Sequence, residues 1–311
     1  MKELKELICY YNGEYMKESE VKTGLWDMVW LEGCVYDMSR TYNHVPFFWK
    51  EHIDRLFRTL QGIHLDIGLS PEEVSKISLE VYKRNKENLH PDDDFYVVQR
   101  VSRGAMPSLP SPPTKPTVLI NCAYLSPQYE RMARYYQEGV QMVVANTRAI
   151  PPQCFDQKIK NSNRFCNASA DFEAKMINPE AIALMLDVYG FAAECPRMNF
   201  LMVKDGKLFT SRATSSLAGV TRGTLLQLAT ELNIKSAETD ISVYDLYNAE
   251  EIMVTANSFV IYPVAKFNER IMPRPIPGPI TEKLFTAFNQ KVGVDITQRV
   301  INHVEVQTKR G

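Results

Sequence analysis

Alternation between hydrophobic and polar residues divides the first part of the chain into strands and helices. Strands are predicted where Val and Tyr are frequent and apolar and polar positions alternate, at residues 29–42, 95–102 and 117–124. The helical period marks residues 50–60 and 71–85. Five prolines interrupt residues 104–116, so this segment is expected to be a loop or a covering flap. The first part is therefore predicted to be an α+β unit.

A polar stretch at residues 126–138 leads into a second β-rich segment and predicts a linker at 125–136 between a first domain, residues 1–124, and a second domain, residues 137–311. The elements predicted after the linker are strands at 140–145 and around residue 160, a helix at 168–176, a hairpin-like pair of strands at 182–187 and 199–203, and a helix at 221–232. Asp205-Gly206 indicates a turn before the next strand. Thr221 is predicted to cap the last of these helices.

Composition narrows the class of protein and the class of partner. A chain of 311 residues with 45% apolar and 23% charged residues is typical of a globular protein with room for two domains. The formal net charge of -1 gives no overall field that would favour nucleic acid or an anionic membrane, so a small molecule is the expected partner. No stretch has the roughly 20 apolar residues of a membrane helix, and the beginning lacks the apolar core of a signal peptide. We therefore expect a cytoplasmic protein without membrane or nucleic-acid partners.

Cysteine and histidine usage gives little support for a metal site. The six cysteines are widely spaced and form no C-x-x-C pair, and the five histidines are equally scattered. Neither a disulfide framework nor a bound metal is expected.

The most informative polar positions lie at residues 155–174, FDQKIKNSNRFCNASADFEA. Lys160 stands beside an Asn-rich turn that precedes a predicted helix. A lysine amine that loses its water becomes nucleophilic near neutral pH and can hold a carbonyl cofactor as a Schiff base. Lys158 competes for this role, because two residues apart on an extended segment both side chains point to the same face. The pattern alone leaves the choice open.

Further motifs follow and precede this lysine at fixed distances: ECPRMN at 194–199, SLAGVTR at 216–222, TANS at 255–258, PV at 263–264, VYDMSRTYNHVPFFWKEHIDRL at 35–56 and GPIT at 278–281. Together they resemble the class IV aminotransferases, the fold-type IV pyridoxal 5'-phosphate (PLP) enzymes. That family includes branched-chain and D-amino acid aminotransferases, (R)-amine transaminases and aminodeoxychorismate lyase. The resemblance covers nearly the whole chain. It implies an α+β fold of two domains, a small α/β domain and a larger β-barrel-like domain with helices.

The resemblance also assigns the catalytic residue and the cofactor-binding residues. Lys160, rather than Lys158, matches the family's lysine, which would hold the cofactor and shuttle a proton between the substrate α-carbon and C4′. Glu194 matches the acid that pairs with the pyridine nitrogen and keeps it protonated. The complete set that the resemblance implies for PLP is Arg55, Lys160, Glu194, Asn199, Leu217, Gly219, Val220, Thr221, Asn257 and Ser258, with no metal.

Within this set, the phosphate contacts follow from a helix start. Gly219, Val220 and Thr221 open a predicted helix, whose free N–H groups and the Thr221 hydroxyl make an anion site. Arg55 matches the family's phosphate-binding arginine, and Leu217 matches the apolar residue on the ring face. Asn257 and Ser258 match positions that touch the phosphate, although relatives usually have threonine or a small residue in place of Asn257.

The resemblance gives a mixed picture of the substrate-binding residues. Tyr36 and Arg40 share one face of a predicted strand and match, respectively, a tyrosine of the D-amino acid enzymes and an arginine of the branched-chain enzymes. Val98 stands where the branched-chain enzymes have an arginine near Tyr96. Arg164 replaces a tyrosine that bonds the cofactor's phenolic oxygen; pointing inward it would stabilise that phenolate or bind a substrate carboxylate, and pointing outward it is a surface charge.

Two further segments conflict with one another. The loop at 103–116 has Ser108 and Pro110 where the D-amino acid enzymes have an arginine and a histidine, and it also lacks the mobile arginine of the (R)-amine transaminases. Residues 151–161 resemble the (R)-amine transaminases most closely. The predicted substrate set is therefore Tyr36, Arg40, Tyr96 and Arg164, without a subgroup that it fits.

Three functions are compatible with these residues. The leading hypothesis is an aminotransferase that moves an amino group between an amino acid or amine donor and a 2-oxo acid by a ping-pong mechanism. The alternatives are a PLP lyase of the aminodeoxychorismate lyase type and a PLP-binding protein without turnover. Because family members build each active site across a dimer interface, the resemblance also implies a homodimer.

Overall fold

The computed structural model describes residues 4–108, 113 and 115–308, and the side chains as far as residue 305. The chain divides into two compact units. The first unit runs to Pro127 and also contains Ile159–Asn163 and the end of the chain from Glu305, and the second comprises Gln128–Lys158 and Arg164–Val304. The predicted mixture of helices and sheets is confirmed.

Up to Pro127, the described residues of the first unit form six strands and three α-helices: β1 (Ile8–Tyr11), β2 (Glu14–Lys17), α1 (Met28–Leu31), β3 (Val35–Tyr42), β4 (Val45–Phe47), α2 (Trp49–Gly62), α3 (Pro71–Asn85), β5 (Phe95–Ser102) and β6 (Thr117–Tyr124). The strands form an antiparallel sheet in the order β2-β1-β6-β5-β3-β4. Alternate residues of the central strands, such as Val97 and Ile120, are fully buried in one core with Leu56 of α2 and Val81 of α3. Burying each such side chain stabilises the fold by roughly 1.5–3 kcal/mol.

Helix α3 begins and ends where the sequence predicts. The Ser70 hydroxyl accepts from the Glu73 amide at 3.2 Å, and the Glu73 carboxylate accepts from the Ser70 amide at 2.7 Å. This reciprocal cap, followed by Pro71 at the first helical position, fixes the helix start.

The strand predicted at 29–42 is wrong over its first residues, which form α1. The reason is Asp27, a buried residue whose carboxylate accepts from the Val29 amide at 2.9 Å and caps this helix. The same carboxylate accepts from the hydroxyls of Ser102 and Thr117, each at 2.6 Å. Long-range contacts therefore override the strand tendency of the local residues.

The second unit contains the other described strands and α-helices, the last of which continues beyond Val304 into residues of the first unit: α4 (Tyr129–Glu138), β7 (Val140–Val144), α5 (Phe165–Ile177), β8 (Ile182–Leu186), β9 (Ala192–Glu194), β10 (Asn199–Lys204), β11 (Lys207–Ser211), α6 (Val220–Glu231), β12 (Ser236–Thr239), α7 (Val243–Tyr247), β13 (Glu251–Ala256), β14 (Val260–Phe267), β15 (Arg270–Ile271), α8 (Pro279–Val292) and α9 (Ile296–Thr308). Its sheet has the order β12-β11-β10-β13-β14-β7-β8-β9, and β15 pairs with β14. The Ser211 hydroxyl of β11 donates to the Ala193 carbonyl of β9, at the other end of this order. The sheet therefore curls towards the predicted barrel-like form.

Strand pairing in this sheet differs from the predicted hairpin. Strand β8 pairs in parallel with β7 and antiparallel with β9, whereas β10 pairs with β11 and β13. Helix α5 connects β7 to β8, and its Ala170 and Ala174 are fully buried in the core that contains Val143 of β7 and Met185 of β8. A parallel pair needs such a crossover, which a local sequence pattern does not reveal.

Three smaller expectations also need correction. Most of the predicted linker, from residue 129 onwards, belongs to α4, which continues to Glu138, and the units divide between Pro127 and Gln128. The segment around residue 160 consists of turns rather than a strand, and Ile159–Asn163 belongs to the first unit rather than to the second. Helix α6 has Gly219, not Thr221, as its cap residue, without a side-chain cap bond.

Pro110 and its neighbours at residues 109–112, in the predicted loop, lie outside the described residues. Within the described part of the chain, none of the helices has both the length and the apolar character needed to cross a membrane. The cytoplasmic location stays a prediction.

Candidate active site

The segment that carries Lys160 is bound to the beginning of β3. The Tyr36 amide donates to the Lys160 carbonyl at 3.0 Å, and Val35 forms an isolated antiparallel bridge with Asn161. The Ser162 amide donates to the Cys34 carbonyl at 2.7 Å, and the Cys34 amide donates to the Ser162 hydroxyl at 2.8 Å. Backbone pairing therefore fixes the lysine against the sheet of the first unit.

Lys160 and Lys158 have different surroundings. Lys160 is half-buried, and its Nζ lies 4.5 Å from the centroid of the Tyr36 ring. Its amide donates to the Thr59 hydroxyl at 3.4 Å. Lys158 is exposed and pairs with Asp156 at 3.2 Å. Because partial loss of water is what makes an amine nucleophilic, these surroundings favour Lys160.

A buried cluster of Asp37, His52 and Arg55 lies on the helix-facing side of the same sheet. The Arg55 Nε and Nη2 atoms donate to the two Asp37 carboxylate oxygens at 2.7 and 2.8 Å, and His52 Nδ1 lies 2.7 Å from Asp37 Oδ1. All three residues are at most 6% exposed. Arg55 is thus a buried cation fixed by a carboxylate, not a surface arginine.

Burial and charge set the ionisation of this cluster. Burial opposes the charge of Asp37, but the ion pair with Arg55 and the hydrogen bonds from Arg55 and His52 outweigh it and lower the pKa of Asp37. Burial lowers the pKa of His52, against the attraction of Asp37 and with further lowering by Arg55 and Lys160. At neutral pH the cluster therefore holds a carboxylate, a guanidinium and a neutral imidazole.

Sequence reasoning missed Asp37 and His52. The sequence does contain a pattern that points to them. His52 and Arg55 are three residues apart and therefore lie on one face of α2, and Asp37 is the acidic residue of β3.

Arg40 and Tyr96, two predicted substrate-binding residues, lie opposite each other on β3 and β5. Arg40 is buried, its Nε donates to the Thr41 carbonyl at 3.1 Å, and its guanidinium carbon lies 4.2 Å from the centre of the Tyr42 ring. One Nη atom is 3.8 Å from a carboxylate oxygen of Asp94. These contacts belong to the packed sheet, and the role of both residues towards a substrate stays a prediction.

In the second unit, Glu194 and Asn199 hold one backbone segment from two sides. The Leu217 amide donates to Glu194 Oε2 at 2.8 Å, and Asn199 Nδ2 donates to the Leu217 carbonyl at 2.9 Å. Both side chains are less than 9% exposed. Backbone hydrogen bonds between Cys195 and Met198, at 3.0 and 2.9 Å, close the turn that joins β9 to β10. The turn therefore places the Glu194 carboxylate and the Asn199 side-chain amide against the backbone of the same residue, Leu217.

The held segment leads directly into α6. Gly219 is the cap residue, and Thr221, in the first turn, is 5% exposed. The first N–H groups of a helix lack intrahelical partners and carry partial positive charge, so an anion is stabilised there. A side chain at position 219 has no room, because its Cβ would lie 2.1 Å from Asn199 Oδ1.

Replacing Gly219 by alanine is therefore expected to weaken phosphate binding rather than global folding. The new methyl group must displace the Asn199 amide, which breaks its bond to the Leu217 carbonyl and shifts the helix start. We expect the Kd for PLP to rise about 10- to 100-fold, the effect of losing one or two hydrogen bonds to a charged group. Fluorescence titration with PLP measures this. Gly223→Ala is the matched control, because a Cβ at Gly223 of the same helix meets no atom within 4 Å. Equal Kd values for the two variants would contradict the assignment.

The remaining predicted residues of the second unit lie in two connections. Asn257 and Ser258 are half-buried in the turn between β13 and β14, where the Thr255 hydroxyl donates to the Val260 carbonyl at 2.6 Å. Val260 has a φ of +69°, which is rare and costly for a β-branched residue and is typical of functional turns. Arg164 precedes α5 as its cap residue and is half-buried, so its direction stays open.

Three kinds of comparison relate the chain to known proteins. The family model for amino-transferase class IV matches residues 34–267. A protein of Methanocaldococcus jannaschii, provisionally named a branched-chain-amino-acid aminotransferase, is 30% identical over 283 residues, which are 90% of this chain and 94% of that protein. The D-alanine aminotransferase of Staphylococcus epidermidis is 27% identical over 289 residues, 91% of this chain and 97% of that enzyme. The branched-chain aminotransferase of the thermophilic archaeon Thermoproteus uzoniensis, solved with norvaline, has the same fold, with a TM-score of 0.81 and 24% identity over 93% of this chain and 96% of that one.

The family match spans well over half of the chain and includes Lys160, Glu194 and the start of α6. The resemblance predicted from the sequence is therefore confirmed, and with it the enzyme class. Enzymes of this class use PLP and act on amino donors and 2-oxo acids. The chain belongs to the class IV aminotransferase family.

Proposed function

We propose that this aminotransferase uses PLP and moves an amino group from an amino acid or amine donor to a 2-oxo acid in two half-reactions. The observation that carries the proposal is Lys160, a half-buried lysine held by the backbone of β3 beside the Tyr36 ring. Membership of the class IV family supports the cofactor.

The chemistry of the residues fits PLP. The cofactor has an aldehyde, a pyridine nitrogen and a phosphate, and the chain has a counterpart for each: the Lys160 amine, the buried Glu194 carboxylate, and the start of α6 with the Thr221 hydroxyl.

When bound, PLP supplies an aldehyde that takes up amino groups and a ring that withdraws electrons. In our proposal, Lys160 would hold the cofactor and would move a proton between the donor α-carbon and C4′. Glu194 would keep the ring nitrogen protonated, and Leu217, held by Asn199, would contact the ring. The residues that would hold the phosphate are Arg55, Gly219, Val220, Thr221, Asn257 and Ser258. Tyr36, Arg40, Tyr96 and Arg164 remain proposed substrate-binding residues.

Single half-reactions test the proposal directly. The PLP-loaded protein is mixed with L- and D-amino acids and with (R)- and (S)-amines, without an acceptor, and the absorbance of the bound cofactor is followed. We expect at least one donor to convert the bound pyridoxal form to the pyridoxamine form, and a 2-oxo acid to reverse the change. A cofactor band that no donor moves would contradict transamination. The lyase alternative is not favoured, because the relatives described above are named aminotransferases.

We further propose that the enzyme is a homodimer. Helix α5 buries Ala170 and Ala174 on one side. On its other side, Phe165, Phe172 and Met176 form an apolar stripe, and these side chains are 86%, 68% and 75% exposed. Monomers rarely leave large contiguous apolar patches in water. The occupant we propose for this stripe is a second copy of the chain, in line with the dimer that the family resemblance implies.

A charge in this stripe is expected to separate the subunits. Phe172→Asp places a carboxylate where an apolar contact is proposed, which should cost binding energy of several kcal/mol by desolvation. Light scattering should then report a monomer for the variant and a dimer for the parent protein. Tyr244→Asp, at a tyrosine of α7 that is 73% exposed, is the matched control and should leave the dimer intact. A monomeric parent, or a dimer in both variants, would contradict the proposed interface.

A further inference from the structure

Arg100 of β5, Tyr36 of β3 and Lys160 lie side by side across the first unit's sheet. We call these laterally neighbouring positions the row of Lys160. The register pairs Tyr36 with Arg100, and the Tyr36 amide donates to the Lys160 carbonyl on the other side. Residues directly opposite each other in a sheet share one face, so Arg100 is on the face of Tyr36 and not on the face of Asp37. With strands about 4.8 Å apart, the backbones of Lys160 and Arg100 are roughly 10 Å apart, which is the scale of an amino acid.

Arg100 differs from the other arginines of this sheet region in its partners. Arg55 is neutralised by Asp37, and Arg40 has Asp94 at 3.8 Å. Arg100 is half-buried and donates to the neutral side-chain oxygen of Asn121. Within the part of the chain that the structure describes, no carboxylate lies within 4 Å of the Arg100 guanidinium. A half-buried guanidinium bonded to a neutral amide gains most from a carboxylate ligand.

Arg100 is two residues from Val98 on β5, and Val98 stands where the branched-chain enzymes have an arginine. Val98 pairs with Met38, one step along the same face. The cation of this chain therefore lies two residues further along β5, about 6.8 Å away, in the row of Lys160.

We propose that Arg100 binds a carboxylate of the substrate and makes the enzyme specific for carboxylate-bearing donors and acceptors, that is, amino acids and 2-oxo acids rather than simple amines. This rests on the proposed function. Because Arg100 shares the row of Lys160, the carboxylate it binds is the one next to the reacting carbon. Asn121 orients the guanidinium from the side.

The test compares Arg100→Gln with Arg100→Lys in the PLP-loaded enzyme. Glutamine can still donate to Asn121, so folding and the Kd for PLP are expected to stay unchanged. The KM for alanine and pyruvate is expected to rise about 10- to 100-fold in Arg100→Gln, with a smaller change in kcat. Lysine should recover part of the loss, because it keeps the charge but not the bidentate geometry. Arg84→Gln is the control, at a helix arginine that pairs with Glu80.

A binding measurement separates this inference from the proposed function. Calorimetric titration of 4-methylpentanoate, a carboxylate without an amino group, should give a Kd that is about 10-fold or more weaker in Arg100→Gln. If no donor reacts but this difference is found, the proposed function fails and the carboxylate site stands. If amino acids react and both the KM values and this Kd are unchanged, Arg100 is not the site.

Two further substrates locate the carboxylate. A loss shared by alanine and glutamate supports the carboxylate next to the reacting carbon, and a loss confined to glutamate and 2-oxoglutarate assigns Arg100 to the side-chain carboxylate. An equal loss with 1-phenylethylamine, which has no carboxylate, would overturn the proposal.

Discussion

Replacing Lys160 by alanine is expected to lower the rate of transamination by about 10³-fold or more, because one side chain is assigned both the covalent attachment and the proton transfer. General acid–base catalysis alone contributes about 10²- to 10⁴-fold. The loss should appear in kcat, since the phosphate-binding residues and Glu194 are unchanged. Stopped-flow absorbance of single half-reactions measures it.

Lys158→Ala is the matched control for this prediction. Lys158 is two residues away but exposed and paired with Asp156, so its variant should keep nearly the parental rate. A second readout does not depend on turnover: borohydride reduction of the PLP-loaded protein should attach the cofactor to the peptide that contains Lys160, and the modification site is read by mass spectrometry. Attachment at Lys158, or an active Lys160→Ala variant, would contradict the assignment.

Replacing Glu194 by glutamine is expected to lower kcat by about 10²- to 10³-fold, the usual effect of removing one preorganised electrostatic group. Glutamine keeps the shape and can still accept the bond from the Leu217 amide, which the carboxylate accepts at 2.8 Å. A neutral glutamine has no negative charge to keep the pyridine nitrogen of PLP protonated, so the ring is expected to withdraw electrons less well. Structure and cofactor content should stay close to those of the parent.

The chain offers an equally buried glutamate as a control. Glu194 and Glu251 are both 8% exposed. Glu251 accepts from the amides of Ile280 and Thr281 at 2.9 and 2.8 Å and thereby caps α8. Glu251→Gln should therefore lower the unfolding free energy by about 1–3 kcal/mol and leave kcat of the folded enzyme unchanged. If the two variants lost activity and stability in the same proportion, Glu194 would have only a structural role.

The elements that the sequence predicted well are those whose signals are local. Helix α3 carries its own cap at Ser70 and its own proline at the first position, and β6 has a clear alternation, so both were predicted with their observed ends. Local chemistry also identified the motifs that led to the family.

The elements that were mispredicted depend on distant partners. Residues 29–31, which were predicted as strand, lie in α1 because Asp27 is fixed by Ser102 and Thr117, more than 70 residues away. The pairing of β8 with β7 depends on a helical crossover, and the neighbours of β10 come from a later part of the chain.

The candidate site shows the same division. Lys160 and Glu194 were proposed from motifs, but neither Asp37 behind Arg55 nor Arg100 beside Tyr36 has a motif of its own. The contact of Asp37 comes from the packing of α2 on β3, and the place of Arg100 comes from the register of β3 and β5. Thr221 was predicted as a cap, and the bond between Asn199 and Leu217 explains why Gly219 occupies that position instead.

The return of Ile159–Asn163 to the first unit has a consequence for biosynthesis. A ribosome that has released the chain as far as Pro127 has delivered all six strands of the first unit's sheet, but not the amine that we propose as the catalytic one, which follows 33 residues later at Lys160. The amine is then added to a finished sheet through contacts with Cys34 and Tyr36. Contacts so far apart in sequence form slowly. The nascent enzyme should therefore pass through a stage in which the sheet of the first unit is folded but the lysine proposed to hold the cofactor has not yet joined it.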